Sequence, residues 1–575
     1  MTTPVTEAIG SGITTDTLSR PASHVHRVAI VAADRSLAEL ISAYLLENNA
    51  ATESQVFEAK AFSAGSFGPV DSVLYLPSLD KFGAAPDLSE AAAFFAACKL
   101  NEVSRCVLVS SAAVYGASFR NSGLAREASP LPKNNQGVAA QWKALEDSAK
   151  KHFQSGGELL VLRCTPVLSP GLASPLVRSL SGRTAAVVAG FDPTIQLLAP
   201  GDLAQAVSCV LRQKTTGIFN VAPSAAIPLR KALRLSGVRR IPLPKTLLRA
   251  AHLFRPGISR EHEDFQQYPW TVSGEKIATL GFAPQKSSAE ALVEFSRTLG
   301  KEKNSAMPDH PGVFDDFGMD KAYIDAKGRS LFRFLSDRYW RIDVAGTEYL
   351  PRTGKGILVG VHRGFMPFDG VMALHLLVRH ANRYPRFLIH PSLVKFPFLA
   401  DFMTKLGGIL ACQQNADHVL ERDELLGVFP EGIEGAFVLY SKAYEILPFR
   451  RDIFVRLALR HRAPIFPFVT VGSAEIFPIF FKFKSRAWTS FSEWPAFPIT
   501  PTFPLLPIPL PSKWSTRFLP PMHVEEEYPP SAADNPEIVR RISQEVRIRM
   551  QVAINEMLQQ RRSIFFASAL AAGEK

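Results

Sequence analysis

The sequence predicts an α/β protein with an N-terminal, doubly wound parallel sheet and a second, C-terminal α/β domain. Two observations lead to this prediction. The chain has 575 residues, which is more than one hydrophobic core normally serves. Short apolar runs alternate with helical patterns on both sides of a polar stretch, 301–317, and this alternation is typical of parallel βαβ units.

Composition shifts divide the chain into five parts. Residues 1–25 are rich in threonine and serine and are expected to be disordered, whereas 26–300 form the first domain. The stretch 301–317 is polar, contains two prolines and is predicted to be a linker. The second domain covers 318–565, and 566–575 are expected to fray.

Seven apolar runs are predicted strands, four in the first domain and three in the second. They cover residues 28–31, 72–76, 106–109, 159–162, 357–361, 426–429 and 465–471. Another strand is expected within 334–351, where the chain enters the second domain. Asn535 and Pro536 provide a cap and a first position for one long final helix, 533–563.

The composition also limits the class of protein. Hydrophobic residues make up 46% and charged residues 21%, as in a globular protein. Five scattered cysteines argue against a disulfide framework and a zinc site, so no metal is expected. Neither a signal peptide nor an apolar run of about 18 residues is evident, which predicts a cytoplasmic location. The net charge of +12 fits nucleic acid, anionic lipid or an acidic cofactor and does not choose among them.

Three motifs of the first domain resemble one known family. They are VLVSSAAVYG (107–116), LRCTPVLSPG (162–171) and APGDLAQAV (199–207). In this order and at this spacing they resemble the extended short-chain dehydrogenases, the NAD-dependent epimerase family. The resemblance implies a Rossmann-like fold with a buried Asp202 and a structural Tyr115.

The residues that carry this family's chemistry are absent. A dinucleotide pyrophosphate lies on a glycine-rich turn because only glycine lets the backbone approach so closely. The three glycine positions hold Ala32, Arg35 and Ala38, although Arg35 offers a charge that could bind an anion instead. In place of the family's Ser/Thr, Tyr and Lys stand Ala112, Ala139 and Lys143. We therefore expect no NAD(P) binding, and the domain is interpreted as a degenerate scaffold or as a binding or regulatory module.

Four blocks of the second domain occur in the order of the lysophospholipid acyltransferase family, which they resemble. They are GVHRGFMPFDG (360–370), KLGGILACQQNADHVL (405–420), GVFPEGIEG (427–435) and RAPIFPFVTVGSAEIFP (462–478). The resemblance implies a glycerolipid acyltransferase fold that needs no metal or redox cofactor. It also implies acyl-CoA or acyl carrier protein as the donor and a lipid hydroxyl as the acceptor.

The first block contains a candidate general base. Acyl transfer from a thioester to a hydroxyl needs a base that removes the hydroxyl proton, and a histidine held by a carboxylate provides it. His362 and Asp369 are the candidate pair, with six residues between them where most of the family has four. The alternative is a buried histidine and a helix-capping aspartate that never meet. Arg363 is a candidate to bind a substrate phosphate or carboxylate, or to lower the pKa of the base.

The third block is predicted to shape the acceptor site. Its residues are Phe429, Pro430, Glu431 and Gly432. Family members that act on glycerol phosphates have Thr-Arg after this glycine, and the arginine binds the phosphate. Here Ile433 and Glu434 follow, which favours an acceptor whose phosphate lies elsewhere or an acceptor without phosphate, such as a diacylglycerol or a neutral lysolipid. The alternative phosphate ligands are Lys442, Arg450 and Arg451.

Aromatic and basic residues alternate in the segment after the fourth block. The aromatic residues are Phe480, Phe481, Phe483, Trp488 and Trp494, and the basic ones are Lys482, Lys484 and Arg486. This pattern predicts either a surface in contact with lipid head groups or a set of aromatic core residues.

The favoured hypothesis is a peripheral acyltransferase of phospholipid biosynthesis at the inner face of the membrane, with no nucleic-acid partner. An NAD(P)-dependent oxidoreductase or epimerase and a non-catalytic lipid-binding protein remain the alternatives. Tight nicotinamide binding would favour the oxidoreductase, whereas an intact His, Asp and Phe-Pro-Glu-Gly argue against the lipid-binding protein.

Overall fold

The computed structural model describes residues 26–59, 68–80, 83–121, 123–133, 137–154, 156–172, 174–213, 215–248, 260–300, 315–449, 451–505, 508–561 and 563–564. The predicted disordered segment, the predicted frayed tail and most of the predicted linker lie outside these residues. The described chain forms two large sheets, each flanked by helices.

The first sheet contains six parallel strands. They are β1 (Arg27–Ala32), β2 (Glu53–Glu58), β3 (Ser72–Leu76), β4 (Arg105–Ser111), β5 (Glu158–Cys164) and β8 (Gly217–Val221). Their spatial order is β2-β1-β3-β4-β5-β8. The strand order reverses at β1, and doubly wound sheets bind their ligands at the carboxyl ends of the strands beside such a reversal. The predicted Rossmann-like fold is confirmed.

Apart from the helical residues 245–248 and two 3-10 turns, nine α-helices and two short strand pairs complete the described part of this half. The pairs join β6 (Thr184–Val188) to β10 (Arg239–Leu243) and β7 (Thr194–Ile195) to β9 (Ile227–Pro228). The helices are α1 (Arg35–Glu47), α2 (Leu88–Leu100), α3 (Val138–Phe153), α4 (Pro175–Ser181), α5 (Pro200–Arg212), α6 (Leu229–Leu235), α7 (Arg260–Phe265), α8 (Glu275–Ala278) and α9 (Ser288–Thr298). The α1 and α2 helices begin where Asp34 and Asp87 accept hydrogen bonds from first-turn amides.

The second sheet contains seven strands. They are β11 (Asp343–Ala345), β12 (Gly356–Val359), β13 (Arg386–Ile389), β14 (Ile409–Leu410), β15 (Leu425–Val428), β16 (Ile465–Val471) and β19 (Ser515–Phe518). Their order is β11-β19-β16-β12-β15-β13-β14, and β16 and β19 are the antiparallel neighbours. A separate two-stranded ribbon pairs β17 (Phe481–Phe483) with β18 (Phe497–Ile499). The predicted α/β acyltransferase-type fold of this half is confirmed.

The strand expected within 334–351 is mostly helical. The helices of this half are α10 (Lys321–Lys327), α11 (Phe368–Ala381), α12 (Ser392–Lys395), α13 (Leu399–Lys405), α14 (Gln413–Glu421), α15 (Ile433–Ala436), α16 (Ile453–His461), α17 (Arg486–Ser492), α18 (Val524–Glu527) and α19 (Pro536–Gln560). Two π-helical turns, Gly328–Phe332 and Leu335–Tyr339, follow α10, so only β11 remains of the predicted strand. The final helix begins at Pro536 under an Asn535 cap, as predicted, but it ends at Gln560.

The two halves pack tightly against each other. The amide of Phe398 donates to the carbonyl of Gly190 at 2.7 Å. Gly190 has a φ of +84°, and a Cβ at this position would lie 2.5 Å from the Cβ of Pro397. Arg230 pairs with Asp401 at 3.1 Å. The hydrophobic core that both halves share includes Val188, Phe191, Tyr268, Val394 and Met403.

Candidate active site

Two neighbouring strands bring the predicted site residues together. Strands β12 and β15 run parallel, and Val359 lies opposite Val428 at their carboxyl ends. His362 and Glu431 each follow three residues later, so the first and third sequence blocks form adjacent loops. A Cβ on Gly360 would lie 2.4 Å from the ring of Phe468, so the chain needs glycine at the start of the first loop.

His362 and Asp369 are in direct contact. The Nδ1 atom of His362 lies 2.8 and 2.7 Å from the two carboxylate oxygens of Asp369. Asp369 lies in the first turn of α11, is 2% exposed and accepts hydrogen bonds from the amides of Arg363 and Gly370. A carboxylate at this position also interacts favourably with the positive end of the helix dipole. Because Nδ1–H donates to Asp369, the neutral imidazole has its lone pair on Nε2, which is the atom a general base uses.

Arg363 and Glu431 form a buried ion pair, which corrects the prediction that Arg363 binds substrate. The guanidinium contacts the Glu431 carboxylate at 2.6 and 3.0 Å, and both residues are at most 3% exposed. Its other N–H groups donate to the carbonyls of His362, Ala443 and Glu445. Every guanidinium N–H therefore has an acceptor within the protein, and none is available for a substrate phosphate.

The carboxylate of Glu431 is also held by the protein. It accepts from Arg363 and from the amide of Leu447. The ion pair joins the loop after β12 to the loop after β15. Through it, Glu431 fixes the loop that carries His362.

A cavity of about 700 Å³ opens beside His362. Asp369, Phe429, Pro430, Glu431 and Gly432 line it together with the histidine. Its other walls are mainly apolar and include Phe365, Leu374, Phe387, Met403, Leu406 and Leu457. This volume lies in the range of small-molecule and cofactor sites, roughly 300–1,000 Å³.

The second block and Trp494 also belong to the cavity wall. Gly408, Ala411 and Cys412 of this block line it. Of the two interpretations of Trp494, the structure favours the core residue: it is 8% exposed, lines the cavity and packs its ring against Phe365.

The three predicted phosphate ligands have different positions. Arg451 lines the cavity. Lys442 is exposed in the 3-10 helix Tyr440–Lys442 and is not among the residues that line this cavity. Arg450 lies outside the described residues. Ile433 and Glu434, which replace the family's Thr-Arg, both line the cavity.

The structure adds a second histidine that the motifs did not reveal. His390 follows directly after β13 and lines the same cavity. The Ser392 amide donates to its Nδ1 at 3.2 Å, so the neutral ring has its proton on Nε2. Burial lowers the pKa of His390; Glu493 opposes this effect and Arg451 adds to it. A histidine directly after a short apolar run, 387–389, is the sequence signal that could have identified it.

In the first half, an aspartate lies where a dinucleotide would place its pyrophosphate. Asp34 caps α1, and its carboxylate accepts from the amides of Ser36 and Leu37 and from the hydroxyls of Ser36 and Ser169. It is 5% exposed, and a Cβ on Gly171 would lie 2.3 Å from its Cγ. Burial acts to raise the pKa of Asp34, but these hydrogen bonds outweigh it and hold the pKa below its usual value.

The predicted substitutions at this turn lie close to Asp34. Ala32 ends β1, Ala38 is buried, and Arg35 pairs with Glu39 at 2.8 Å on the surface. An internal carboxylate therefore already occupies the helix N-terminus that binds pyrophosphate in dinucleotide-binding folds. The residues present do not fit NAD(P), because its negative charge would meet that of Asp34.

The other residues of the first half that the family resemblance singled out make contacts within the protein. Tyr115 is 3% exposed, donates to Asn220 at 2.8 Å and accepts from Arg163, which forms a buried pair with Glu146. Lys143 pairs with Asp147 on the same helix, and Asp202 is buried, as predicted.

Within the part of the chain that the structure describes, no helix is both long and apolar enough to cross a membrane.

The N-terminal half is similar to solved UDP-sugar epimerases. The UDP-glucose 4-epimerase of Thermus thermophilus is 17% identical, with a TM-score of 0.37. The alignment covers 48% of this chain and 99% of the epimerase chain. The UDP-N-acetylglucosamine 4-epimerase of Bacillus cereus is 15% identical, with a TM-score of 0.35, and covers 50% and 99%.

The C-terminal half gives the more informative similarities. The family described as acyltransferase matches residues 341–471. Uncharacterised proteins of Mycobacterium tuberculosis and Mycobacterium bovis are each 36% identical over 257 residues, which cover 44% of this chain and 71% of theirs. An uncharacterised protein of Mycobacterium leprae is 36% identical over 259 residues, which cover 44% of this chain and 70% of that protein. The chain therefore belongs to the same protein family as these mycobacterial proteins and carries an acyltransferase domain in its C-terminal half.

Proposed function

We propose that the C-terminal domain moves a fatty acyl group from an acyl thioester, acyl-CoA or acyl carrier protein, to a hydroxyl of a lysophospholipid or another glycerolipid. One observation carries the proposal: the His362–Asp369 pair lies at the wall of a large apolar cavity. The apolar walls suit an acyl chain, since burying each methylene contributes about 0.8 kcal/mol.

The proposed reaction uses His362 twice. Its Nε2 takes the proton of the acceptor hydroxyl as that oxygen attacks the carbonyl carbon of the thioester. Asp369 stabilises the imidazolium that forms and holds the ring in place. The tetrahedral intermediate then collapses, the carbon–sulfur bond breaks, and the imidazolium returns the proton to the leaving thiolate. The products are an ester and a free thiol.

The charge around the cavity supports a restricted set of acceptors. Arg363 is occupied by Glu431, and Ile433 and Glu434 stand where the family's phosphate-binding arginine would follow. Arg451 is the predicted phosphate ligand that lines the cavity. An acceptor phosphate would therefore meet Arg451 or Arg456, which also lines the cavity, whereas acceptors without phosphate, such as a diacylglycerol or a neutral lysolipid, need no such partner.

Thioester consumption by the full chain, measured against a panel of neutral and phosphorylated acceptors, tests the proposal. We expect His362→Ala to lower turnover at least about a hundredfold, the usual contribution of a general base. His461→Ala is a matched control, because His461 contacts Asp417 at 2.8 Å and is 16% exposed, against 15% for His362, yet it does not belong to the described cavity lining. Equal turnover in the wild type and His362→Ala would refute the assignment.

The same assay separates the acceptor classes. If Arg451 meets a phosphate, Arg451→Gln should raise the KM for phosphorylated acceptors about tenfold or more and leave that for neutral acceptors unchanged. Equal effects on the KM of both acceptor classes would show that Arg451 does not bind the acceptor phosphate.

A further inference from the structure

Exposed apolar side chains are concentrated in one segment next to the cavity. Between residues 480 and 505, six large apolar side chains are 43–93% exposed. They are Phe480, Phe481, Phe483, Phe491, Ile499 and Leu505, and we call them, with the basic residues between them, the ribbon surface. Contiguous exposed apolar patches are rare on water-soluble proteins and mark interaction sites.

The β17–β18 ribbon places several of these side chains on one face. Phe481 lies directly opposite Ile499, so their side chains share a face, and Phe483 follows on that face because side chains alternate along a strand. Trp488 packs against the end of the ribbon, with its ring 4.8 Å from that of Phe497 and 5.8 Å from that of Trp494. The ribbon therefore has a packed support, whereas Phe481 and Phe483 are 71% and 64% exposed.

The charge of the ribbon surface is positive. Lys482, Lys484 and Arg486 alternate with its aromatic residues, and all three are exposed. Between residues 476 and 513 the sequence has one carboxylate, Glu493, and this residue pairs with Arg120 of the first half at 2.7 Å. The charge thus complements an anionic partner, and the apolar side chains need a partner that is apolar beneath its charged layer.

The ribbon surface adjoins the wall of the candidate active site. The Nζ of Lys482 donates to the carbonyl of Phe437 at 3.3 Å, and Phe437 lines the cavity. Trp494, which packs against the support residue Trp488, lines it as well. A molecule bound at the ribbon surface would therefore lie close to the cavity.

We propose that the ribbon surface docks the protein on an anionic lipid bilayer. Phe481, Phe483 and Ile499 insert at the boundary between head groups and acyl chains, while Lys484 and Arg486 contact lipid phosphates. The purpose of this docking, delivery of a lipid to the cavity, rests on the proposed function. The docking itself needs no turnover and is measured separately.

Cosedimentation of the full chain with vesicles tests the proposal. We expect binding to vesicles of phosphatidylcholine mixed with phosphatidylglycerol, and weaker binding to phosphatidylcholine alone or at high salt. Phe481→Ser with Phe483→Ser should weaken binding at least about tenfold, because two inserted rings are lost. Lys484→Gln and Arg486→Gln should each weaken it about fivefold, the effect of one basic residue near an anionic surface.

The controls make each outcome decisive. Leu100→Ser and Ile548→Ser replace side chains that are 73% and 57% exposed away from the ribbon surface, and both should bind as the wild type does. Vesicle binding that the Phe481/Phe483 double variant retains in full, or no binding by the wild type, would overturn the proposal. Self-association of the wild type that the double variant abolishes, without vesicle binding, would assign the surface to a second copy and overturn it too.

The two proposals fail separately. His362→Ala should retain vesicle binding, and the Phe481/Phe483 double variant should retain thioester turnover with short-chain, water-soluble substrates. Loss of turnover with such substrates in the double variant would show a damaged fold, and circular dichroism would identify it.

Discussion

The loop after β1 and the loop after β12 occupy the same place in the two sheets, between a strand's carboxyl end and the helix that follows. Each loop delivers a buried carboxylate to the helix N-terminus, Asp34 at α1 and Asp369 at α11. The Asp34 carboxylate accepts hydrogen bonds from the first-turn amides of its own helix and from the Ser169 hydroxyl. The Asp369 carboxylate holds His362 instead.

The difference lies in what the carboxylate faces. A helix N-terminus attracts negative charge in both cases. In the first half the internal anion takes the position that a bound pyrophosphate would need, so the site is closed by the chain itself. In the second half a carboxylate at the helix N-terminus contacts a histidine, whose imidazolium form a carboxylate stabilises. One arrangement thus places an internal carboxylate where an anionic ligand would bind, and the other places a carboxylate against the histidine that the proposed reaction uses.

The largest expected effect comes from exchanging the carboxylate for an amide at both loops. Asp369→Asn should lower turnover about 10²- to 10⁴-fold, because the amide no longer stabilises the imidazolium or fixes the Nε2 lone pair. Asp34→Asn should leave turnover per folded molecule unchanged. Thioester consumption measures both variants.

Asp417→Asn is the matched control for this comparison. Asp417 also contacts a histidine, His461, at 2.8 Å, but neither residue is in the described cavity lining. Turnover of Asp369→Asn within about threefold of the wild type would show that the carboxylate does not serve the base.

The second prediction concerns the ion pair that fixes the loop of His362. Arg363→Met and Glu431→Gln each leave one buried charge without its partner, and each should lower the free energy of unfolding by about 3–5 kcal/mol. The double variant Arg363→Met/Glu431→Met should recover most of that loss, since two apolar side chains leave no buried charge. Chemical denaturation measures all three. Additive losses in the double variant would contradict the account of a mutually dependent pair.

The central strands of the two large sheets could be predicted because their residues are buried on both faces and form short apolar runs. β1, β3, β12 and β16 begin and end within two residues of the predicted positions. The helical turn Leu335–Tyr339 could not be predicted, since tertiary packing stabilises it. It leads into Trp340, which is fully buried and stacks on Trp514 with ring centroids 4.5 Å apart, a contact between distant segments.

The candidate site was predictable where its residues lie in one block. His362 and Asp369 are seven positions apart, and a family motif indicates both. The Arg363–Glu431 pair joins residues 68 positions apart, and it depends on the register of β12 against β15. In the sequence, each of these side chains therefore resembles a substrate ligand. His390 was missed because a single residue after a short strand forms no motif.

The third prediction concerns the loop after β1, where Asp34 caps α1. Asp34→Ala removes the cap of α1 and should lower the free energy of unfolding by about 1–2 kcal/mol, with turnover unchanged. A thermal shift assay of the wild type with NAD should show no stabilisation, since bound ligand raises the melting temperature in proportion to RT ln(1 + [L]/Kd). Clear stabilisation by NAD would reopen an oxidoreductase function for this half. Ser36→Ala, which keeps the carboxylate, is the control for an altered first turn.

The smallest effect concerns the contact between the two halves. Glu275 of the first half accepts from His418 of the second, at 3.3 Å, and pairs with Arg126. The hydrogen bond from His418 is the main cause that lowers the pKa of Glu275 to about 2, with Arg126 contributing and burial opposing. A carboxylate whose pKa is lowered on folding stabilises the protein above its unfolded value, near 4.5, and this contribution is lost as the pH falls toward 2.

Glu275→Gln should therefore lower the free energy of unfolding at neutral pH by about 1 kcal/mol or less, because the half-exposed carboxylate is screened by solvent. The difference from the wild type should shrink as the pH falls from about 4.5 to 2. Denaturation across this pH range measures it, with Glu39→Gln as the control for a surface ion pair inside one half. A difference that does not change with pH would mean that Glu275 acts through packing. The charge of Glu275 would then contribute nothing to the contact between the N-terminal and C-terminal halves.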